Sequence, residues 1–231
     1  MLEICNVSVN YGQSRVVNNV SFQVQPLEKL VILGRNGVGK TTLLKSIIGL
    51  LPLQNGKIIL NNEDLSGLKA YERAIRGVAY VPQGREIIPH LTVKENLELG
   101  ALAHTKEITQ RMEEIFEYFP ILTEHLHRKG GVLSGGQQQQ LAIGRALMSH
   151  PQTLLLDEPT EGIQPNVVAE IANILTRIHR KMLIPIIIVE QNLKFAKKLA
   201  DCFVVMQKGE IVASGKAGEL TDEIIHKYLT V

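Results

Sequence analysis

A glycine-rich loop near the start of the chain carries the residue pattern that points most directly to chemistry. Residues 34–41 read Gly-Arg-Asn-Gly-Val-Gly-Lys-Thr and fit the spacing G-x-x-x-x-G-K-[ST]. A wholly apolar run, Leu30–Leu33, precedes the loop, and a helix-like stretch, Lys40–Leu50, follows it. Glycines let such a loop turn its backbone N–H groups inward toward phosphate oxygens, and the helix N-terminus adds its dipole. The pattern predicts a phosphate-binding loop in which Lys40 reaches the β- and γ-phosphates of a nucleotide and the Thr41 hydroxyl binds Mg²⁺.

Two acidic residues follow a second buried strand. The apolar run Leu154–Leu156 leads directly into Asp157 and Glu158, and ligands in α/β proteins bind at the carboxyl ends of the strands. Asp157 suits a Mg²⁺ ligand, directly or through water, and Glu158 suits a general base that polarises an attacking water. Two solvated surface acids are the alternative, and the phosphate loop in the same chain favours the catalytic interpretation.

A third motif, Leu133–Gln137, opens the helical run Gln138–Met148. Ser134 is followed by Gly135 and Gly136, and a serine with two glycines at a helix N-terminus makes a second anion site. One nucleotide does not need two such sites in one chain, so we expect this site to cap the nucleotide of another subunit. A serine that only caps its own helix is the alternative.

Together these motifs resemble the nucleotide-binding subunits of ABC transporters, and the match covers essentially the whole chain. Residues 34–42 resemble the Walker A loop, Leu154–Glu158 the Walker B strand and Leu133–Gln137 the ABC signature. The resemblance implies ATP and Mg²⁺ as ligands. It also implies an α/β fold with a P-loop (RecA-like) core, an N-terminal antiparallel β-subdomain and a helical insert at about residues 86–133, all in one domain, residues 1–231.

The resemblance assigns roles residue by residue. Tyr11 matches the aromatic residue that stacks on adenine, and Gln83 matches the Q-loop glutamine that senses Mg²⁺ and couples to the membrane subunits; a turn tyrosine and an ordinary loop amide are the alternatives. Catalysis is expected from Glu158 and Gln191. Metal ligands are expected at Thr41, Gln83 and Asp157. The residues expected to contact ATP are Tyr11, Gly34, Asn36, Gly37, Val38, Gly39, Lys40, Thr41, Thr42, Gln83, Ser134, Gly135, Gly136 and Gln137.

Two positions depart from the family pattern. Gln191 stands where most of these ATPases carry the H-loop histidine, whose ring contacts the γ-phosphate. An amide can donate a hydrogen bond there, but it cannot take up a proton near neutral pH, which argues against a proton shuttle. In the D-loop, Gln164 stands where aspartate is usual, and we expect weaker communication between paired sites.

The departures narrow the resemblance to uptake systems for branched-chain amino acids and for urea or amides. Val189–Asn192 reads Val-Glu-Gln-Asn, as in this group. Residues 81–89 and 158–165 resemble most closely the urea-system subunit, and the amino acid subunit more often has glutamate at the position of Gln83. We therefore expect an importer of urea or short-chain amides. ATPase subunits for branched-chain amino acid uptake, and then soluble non-transport ABC ATPases, are the alternatives.

The resemblance also implies partners. Two ATPase chains, identical or different, would pack head to tail with each ATP between one Walker A loop and the partner's signature motif. The helical insert and residues 84–89 would contact membrane permease subunits, and a solute-binding protein would be an indirect partner. The expected location is peripheral, on the cytoplasmic face of a bacterial-type cell membrane.

Composition and charge agree with a globular protein of one domain. The chain has 231 residues, of which 45% are hydrophobic and 21% are charged. Lys+Arg 25 against Asp+Glu 23 leaves a net charge of +2, which gives no electrostatic basis for binding nucleic acid. The richest apolar segment, Leu183–Val189, is far shorter than the ~20 residues of a membrane helix. With only Cys5 and Cys202 and no leader pattern, a reduced cytosolic chain is expected.

Strand-like and helix-like segments alternate along the chain and predict a mostly parallel sheet. Beyond the segments named above, strands are predicted at Leu2–Val9, Val16–Val24, Val78–Val81 and Ile186–Val189, a hairpin at Cys202–Gln207 and Glu210–Ser214, a helix at Asn166–Met182, and a helical stretch without strands at about Val93–Phe119. The histidines suggest no metal site. His125 and His127 are expected to be solvated, and His179 to lie on the wet face of its helix.

Overall fold

Ten strands form two sheets in the computed structural model, which describes residues 1–102 and 107–229. In chain order the strands are β1 (Leu2–Tyr11), β2 (Ser14–Val24), β3 (Lys29–Leu33), β4 (Asn55–Leu60), β5 (Glu63–Asp64), β6 (Val78–Val81), β7 (Thr153–Asp157), β8 (Ile186–Glu190), β9 (Cys202–Gln207) and β10 (Glu210–Lys216). One sheet is antiparallel with the order β2-β1-β4-β5, and the other has the order β10-β9-β3-β8-β7-β6. In the second sheet only β10 runs antiparallel to its neighbour.

The helices of the described residues connect and cover these sheets. They are α1 (Lys40–Ile47), α2 (Ala70–Ile75), α3 (Val93–Gly100), α4 (Ile108–Tyr118), α5 (Pro120–Glu124), α6 (Gly135–Leu147), α7 (Pro165–Met182), α8 (Leu193–Leu199) and α9 (Asp222–Tyr228). Throughout residues 1–102 and 107–229, no helix combines the length and the apolar composition that a membrane span requires.

The strand order of the second sheet places three loops side by side. β8 lies between β3 and β7, and backbone pairing aligns Leu33 with Glu190 and Asp157 with Val189. Because the carboxyl ends of parallel strands share one edge of a sheet, the loops that follow β3, β7 and β8 open at the same edge.

The parallel sheet is buried on both faces, as its unbroken apolar strands require. Alternate residues of β3 point to opposite sides: Val31 and Leu33 join one apolar cluster, and Leu30 and Ile32 join the other. The first cluster includes residues of α3–α7, and the second joins the sheet to α1 and to the antiparallel strands. α3 approaches α6 so closely that a Cβ atom at Gly100 would lie 2.0 Å from the Arg145 carbonyl oxygen, which explains the glycine there.

The predicted α/β fold class is confirmed, as are the predicted strands and the C-terminal hairpin, with ends that differ by a few residues. The first predicted helix was too long, because α1 stops at Ile47 and the chain turns at Gly49, whose φ is +80°. The helical stretch near Val93–Phe119 contains α3 and α4, and its residues 103–106 lie outside the described part of the chain. β4, β5, α2, α5, α8 and α9 were not predicted, because they are short and weakly patterned.

Two expectations about histidines were wrong. His179 is only 6% exposed and its Nδ1 lies 2.9 Å from the Ile184 carbonyl oxygen, because the chain folds back over the end of α7. His125 is half-buried, and its Nε2 lies 3.2 Å from Nε2 of Gln137. The loop that follows α7 buries the His179 ring, and a contact with α6 covers part of the His125 ring; sequence periodicity does not report either contact.

A buried arginine joins the end of α1 to the start of α2. Arg73 is 2% exposed, and its Nη1 donates to the carbonyl oxygens of Ser46 and Ile47 at 2.7 and 2.9 Å. Its Nη2 and Nε donate to the carbonyl oxygens of Ser66 and Leu68 at 2.9 and 3.0 Å. Burial lowers the pKa of Arg73 from its ordinary value. The cation lies at the C-terminal end of the α1 dipole, where positive charge is favourable.

Replacing Arg73 by alanine should destabilise the protein by about 3 kcal/mol or more, because four carbonyl oxygens, two of them in buried contacts, would lose a charged donor. Urea denaturation followed by circular dichroism measures the change. Arg76→Ala is the matched control: its side chain pairs with Glu63 on the surface, where solvent screens the interaction, so the effect should be much smaller. Equal losses for the two variants would contradict this account.

Candidate functional site

The glycine-rich loop between β3 and α1 is closed on itself by the side chain of Lys40. Its Nζ donates to the carbonyl oxygens of Gly34 and Arg35 at 2.8 and 2.9 Å. Gly39 has a φ of +104°, and a Cβ atom there would lie 2.7 Å from the Val16 carbonyl oxygen. The loop therefore depends on glycine for both its backbone conformation and its close approach to β2.

A second contact connects the loop to the end of β7. The Lys40 Nζ lies 3.7 Å from Glu158 Oε1, and the two side chains are 4% and 11% exposed. Burial lowers the pKa of Lys40, while the nearby carboxylates of Glu158 and Asp157 act in the opposite direction. A bound phosphate would add negative charge beside this amine and favour its charged form.

Asp157 and Thr41 form the part of the site that fits a divalent cation. Asp157 is 1% exposed, and its Oδ1 accepts a hydrogen bond from Thr41 Oγ1 at 3.0 Å. Burial raises the pKa of Asp157, and hydrogen bonds from Thr41 and Tyr80 oppose that rise. A hydroxyl and a carboxylate oxygen are the hard donors that Mg²⁺ prefers, and the Gln83 amide borders the same cavity. This donor set fits Mg²⁺.

Tyr80 is a site residue that the sequence analysis missed. Its hydroxyl donates to Asp157 Oδ2 at 3.1 Å. Burial raises the pKa of Tyr80, so the phenol keeps its proton and remains a donor. Tyr80 pairs with Leu155 in the sheet, and Asp157, two residues further on, shares that face of β7. The alternation of side chains along the strands places Tyr80 on the same face as Asp157, but this can be recognised only once the pairing of β6 with β7 is known.

Glu158 and Gln191 meet across the edge of the sheet. Gln191 Nε2 donates to Glu158 Oε1 at 2.7 Å, and the Glu158 backbone N–H donates to the Val189 carbonyl oxygen at 2.9 Å. Glu158 adopts a φ of +46°, a left-handed conformation that is uncommon for a residue with a side chain. Such a conformation persists where the surrounding contacts hold it, and here it turns the side chain toward the glycine-rich loop.

Lys40, Thr41, Glu158 and Gln191 line one cavity of about 770 Å³, whereas Asp157 and Tyr80 are not among its lining residues. Its lining residues that the sequence predicted are Asn36, Gly37, Gly39, Lys40, Thr41, Thr42, Gln83, Glu158 and Gln191. The lining residues that were not assigned to the site are Val16, Thr160, Glu161, Glu190 and Asn192. Gln83 is oriented by one of them, because its Nε2 donates to Glu161 Oε2 at 2.9 Å.

Other predicted residues lie at or beyond the edge of this cavity. Gly34 accepts the Lys40 hydrogen bond, and Val38 accepts one from the backbone N–H of Gly209 at 3.0 Å. Tyr11 is 67% exposed and borders a separate cavity with residues 51–54. The chain does not bring Tyr11 into one cavity with Lys40.

The signature motif, Ser134 with Gly135, Gly136 and Gln137, does not line the cavity of its own chain. Ser134 is exposed at the N-terminus of α6 and its Oγ accepts a hydrogen bond from the Gln137 backbone N–H, while Gln137 Oε1 accepts one from the Ser134 backbone N–H. This capping arrangement fixes the start of α6. Ser134 is exposed there, whereas Gly135, Gly136 and Gln137 are half-buried.

Comparisons with known proteins identify relatives of this chain. A family model described as ABC transporter matches residues 17–161. The high-affinity branched-chain amino acid transport ATP-binding protein BraG of Pseudomonas aeruginosa is 40% identical over 213 residues, covering 92% of this chain and 91% of its own. The probable branched-chain amino acid transport ATP-binding protein LivF of Archaeoglobus fulgidus is 32% identical over 223 residues, covering 96% and 94%.

A solved structure extends the likeness to three dimensions. It is the dimeric post-hydrolysis state of an ATP-binding cassette bound to ADP and Pi. It matches with a TM-score of 0.83 at 26% identity, and the match covers 94% of this chain and 99% of that one.

Replacing Lys40 by alanine should weaken ATP binding about a hundred-fold or more, because the phosphates lose a buried, charged donor. Titration with a fluorescent ATP analogue in the presence of Mg²⁺ measures the affinity. Lys45→Ala removes the same charge from the far end of α1 and should leave the affinity unchanged. An unaltered affinity in Lys40→Ala would refute the role given to this amine.

Proposed function

The chain belongs to the ABC transporter family, whose members hydrolyse ATP, and from that premise we propose that it is the ATPase subunit of an ABC importer. The observation that carries the proposal is the convergence of Lys40, Glu158 and Gln191 in one cavity beside the Thr41–Asp157 pair. The single domain spans residues 1–231, with the helical subdomain at about residues 86–133.

In this proposal each residue of the cavity has one task. The backbone of the glycine-rich loop and Lys40 bind the phosphates of ATP. Thr41, Asp157 and Gln83 would hold Mg²⁺, which supplies charge neutralisation to the phosphates when bound. Glu158 orients the attacking water and accepts its proton, and Gln191 holds Glu158 through the 2.7 Å hydrogen bond. Tyr11 would stack on the adenine at the edge of the site.

The exposed Ser134 of the signature motif supports a second ATPase chain as a partner. Ser134 and the N-terminus of α6 form an anion site for which the chain's own cavity has no place. A head-to-tail partner, identical or related, would close each ATP between its Walker A loop and the opposite Ser134–Gln137. Gln164, exposed at the start of α7, would weaken the exchange between the two sites.

A separate groove supports docking of a membrane permease. A cavity of about 530 Å³ lies between α2, α3 and α6, and its lining is mainly apolar. Tyr71 and Leu50 are 62% and 57% exposed at its edge, and Ile88, within residues 84–89, is 39% exposed. An exposed apolar groove of this kind suits a protein partner, and here it adjoins the loop that carries Gln83. This chain would then lie on the cytoplasmic face of the membrane, with a solute-binding protein as an indirect partner.

Two solute classes remain candidates. The names of BraG and LivF support branched-chain amino acids. The sequences at residues 81–89 and 158–165, including Gln83, support urea or short-chain amides. The ATPase site itself does not touch the solute in either case, so the permease and the solute-binding protein decide between them.

Glu158→Gln should retain ATP binding and lose turnover at least a hundred-fold, because an amide can still accept the hydrogen bond from Gln191 but cannot take a proton from water. Phosphate release measures turnover, and size-exclusion chromatography with ATP should then show a trapped dimer. The exposed Glu223→Gln on α9 controls for loss of one surface carboxylate and should match the unmodified protein. Turnover at the normal rate by Glu158→Gln would rule out the general-base role.

Purification of the tagged chain from detergent-solubilised native membranes tests the transport assignment. We expect permease subunits, a second ATPase and a solute-binding protein to co-purify. Tyr71→Asp should reduce recovery of the permease, since it charges the apolar groove, while Leu183→Asp, at an exposed leucine outside that groove, should not. Recovery of ribosomes or DNA-repair factors instead would overturn the importer proposal. A comparison of urea binding with leucine binding by the recovered solute-binding protein then distinguishes the two solute classes.

A further inference from the structure

A buried carboxylate lies between the two loops that carry Glu158 and Gln191. Glu190 ends β8 and is 2% exposed. Its Oε1 accepts hydrogen bonds from the backbone N–H and the hydroxyl of Thr160, at 3.1 and 2.6 Å. Its Oε2 accepts hydrogen bonds from the backbone N–H groups of Gln191 and Asn192, at 2.9 and 3.0 Å. One side chain thus satisfies donors from both loops.

These hydrogen bonds, together with the backbone of the two loops, form a closed ring of contacts that includes Glu158 and Gln191. Thr160 follows Glu158 by two residues, and Gln191 follows Glu190 directly. The ring is completed where the Gln191 side chain donates to Glu158 at 2.7 Å. The position of Glu158 is therefore determined from two directions, through its own loop and through Gln191, and Glu190 is the group common to both.

We propose that Glu190 is a positioning residue that fixes Glu158 and Gln191 relative to each other, so that it supports turnover and contributes little to ATP binding. The proposal rests on the roles given above to Glu158 and Gln191. Glu190 lines the same cavity as Lys40, and its charge favours the charged form of that amine. The hydrogen bonds of Glu190, however, go to the loops after β7 and β8, whereas Lys40 is held by the carbonyl oxygens of the glycine-rich loop. Catalytic groups depend on such fixed orientation more strongly than ligand-binding groups do.

The chemistry of the ring requires a carboxylate. Both oxygens of Glu190 accept hydrogen bonds, and glutamine would place an NH₂ group where one of those oxygens lies. In either orientation of the amide, that NH₂ group would face a backbone N–H of Thr160, or those of Gln191 and Asn192. The two loops would then lose their common attachment while the volume of the side chain stays almost the same.

The test compares kcat, KM and ATP affinity in Glu190→Gln. We expect kcat to fall about ten-fold or more, while KM and the dissociation constant for a fluorescent ATP analogue change by less than about two-fold. Glu223→Gln, the exposed control, should change none of these. A folded Glu190→Gln with unchanged kcat, or with weakened ATP binding and unchanged kcat, would overturn the proposal.

A second variant keeps the test decisive if Glu190→Gln does not fold. Thr160→Val removes only the hydroxyl donor at 2.6 Å and should lower kcat about three-fold with KM unchanged. Unchanged kcat in that variant would overturn the proposal. If both variants fold, the kcat of the double variant should be no lower than that of Glu190→Gln alone, because both changes break the same ring. Losses in kcat that multiply, as for independent sites, would contradict the proposal.

The result for Glu190→Gln can be interpreted separately from the result for Glu158→Gln. If Glu158→Gln retains full turnover, the general-base role fails whatever Glu190 does. If Glu158→Gln is inactive and Glu190→Gln keeps normal kcat, the general-base role stands and only the positioning role of Glu190 is refuted.

Discussion

The parallel pairing of β3 with β8 and of β8 with β7 is the constraint on which the site depends. It brings the carboxyl ends of these strands, and the loops that follow them, to one edge of the sheet. Without it, Lys40, Glu158 and Gln191, far apart in sequence, would not line one cavity. Burial of the strands on both faces makes this edge rigid, since any shift in register would move apolar side chains out of two cores at once.

At this edge of the sheet, hydrogen bonds and an ion pair with neighbouring groups of the site hold the ionisable side chains in place. Lys40 bonds to its own loop and approaches Glu158, and Gln191 binds the same carboxylate. Asp157 is held by Thr41 and Tyr80. An incoming phosphate competes for groups that already have partners, so binding exchanges internal hydrogen bonds for contacts with the ligand. Such an arrangement keeps buried polar groups satisfied before the ligand arrives, at the expense of part of the binding energy.

The contacts around residues 83–86 connect this cavity with the rest of the molecule. Gln83 is bound by Glu161, and Arg85 donates to the Glu161 carbonyl oxygen at 3.2 Å and to Gln138 Oε1 at 3.3 Å. Gln138 belongs to α6, which begins at the signature motif. Hydrogen bonds thus connect Gln83, at the cavity, with Gln138 of α6, and Ile88, further along the same loop, lines the apolar groove.

The sequence by itself indicated the class of chemistry, because the glycine-rich loop, Asp157, Glu158 and Gln191 belong to local patterns whose residue types and spacing are typical of the family. It also determined the alternation of buried strands and helices, since apolar periodicity is local. Only the tertiary structure decided which loops meet. Tyr80, Thr160 and Glu190 entered the site through strand pairing, Tyr11 lay in a separate cavity, and the His179 ring was covered by a loop. These outcomes depend on contacts between distant segments, whose geometry a local pattern does not contain.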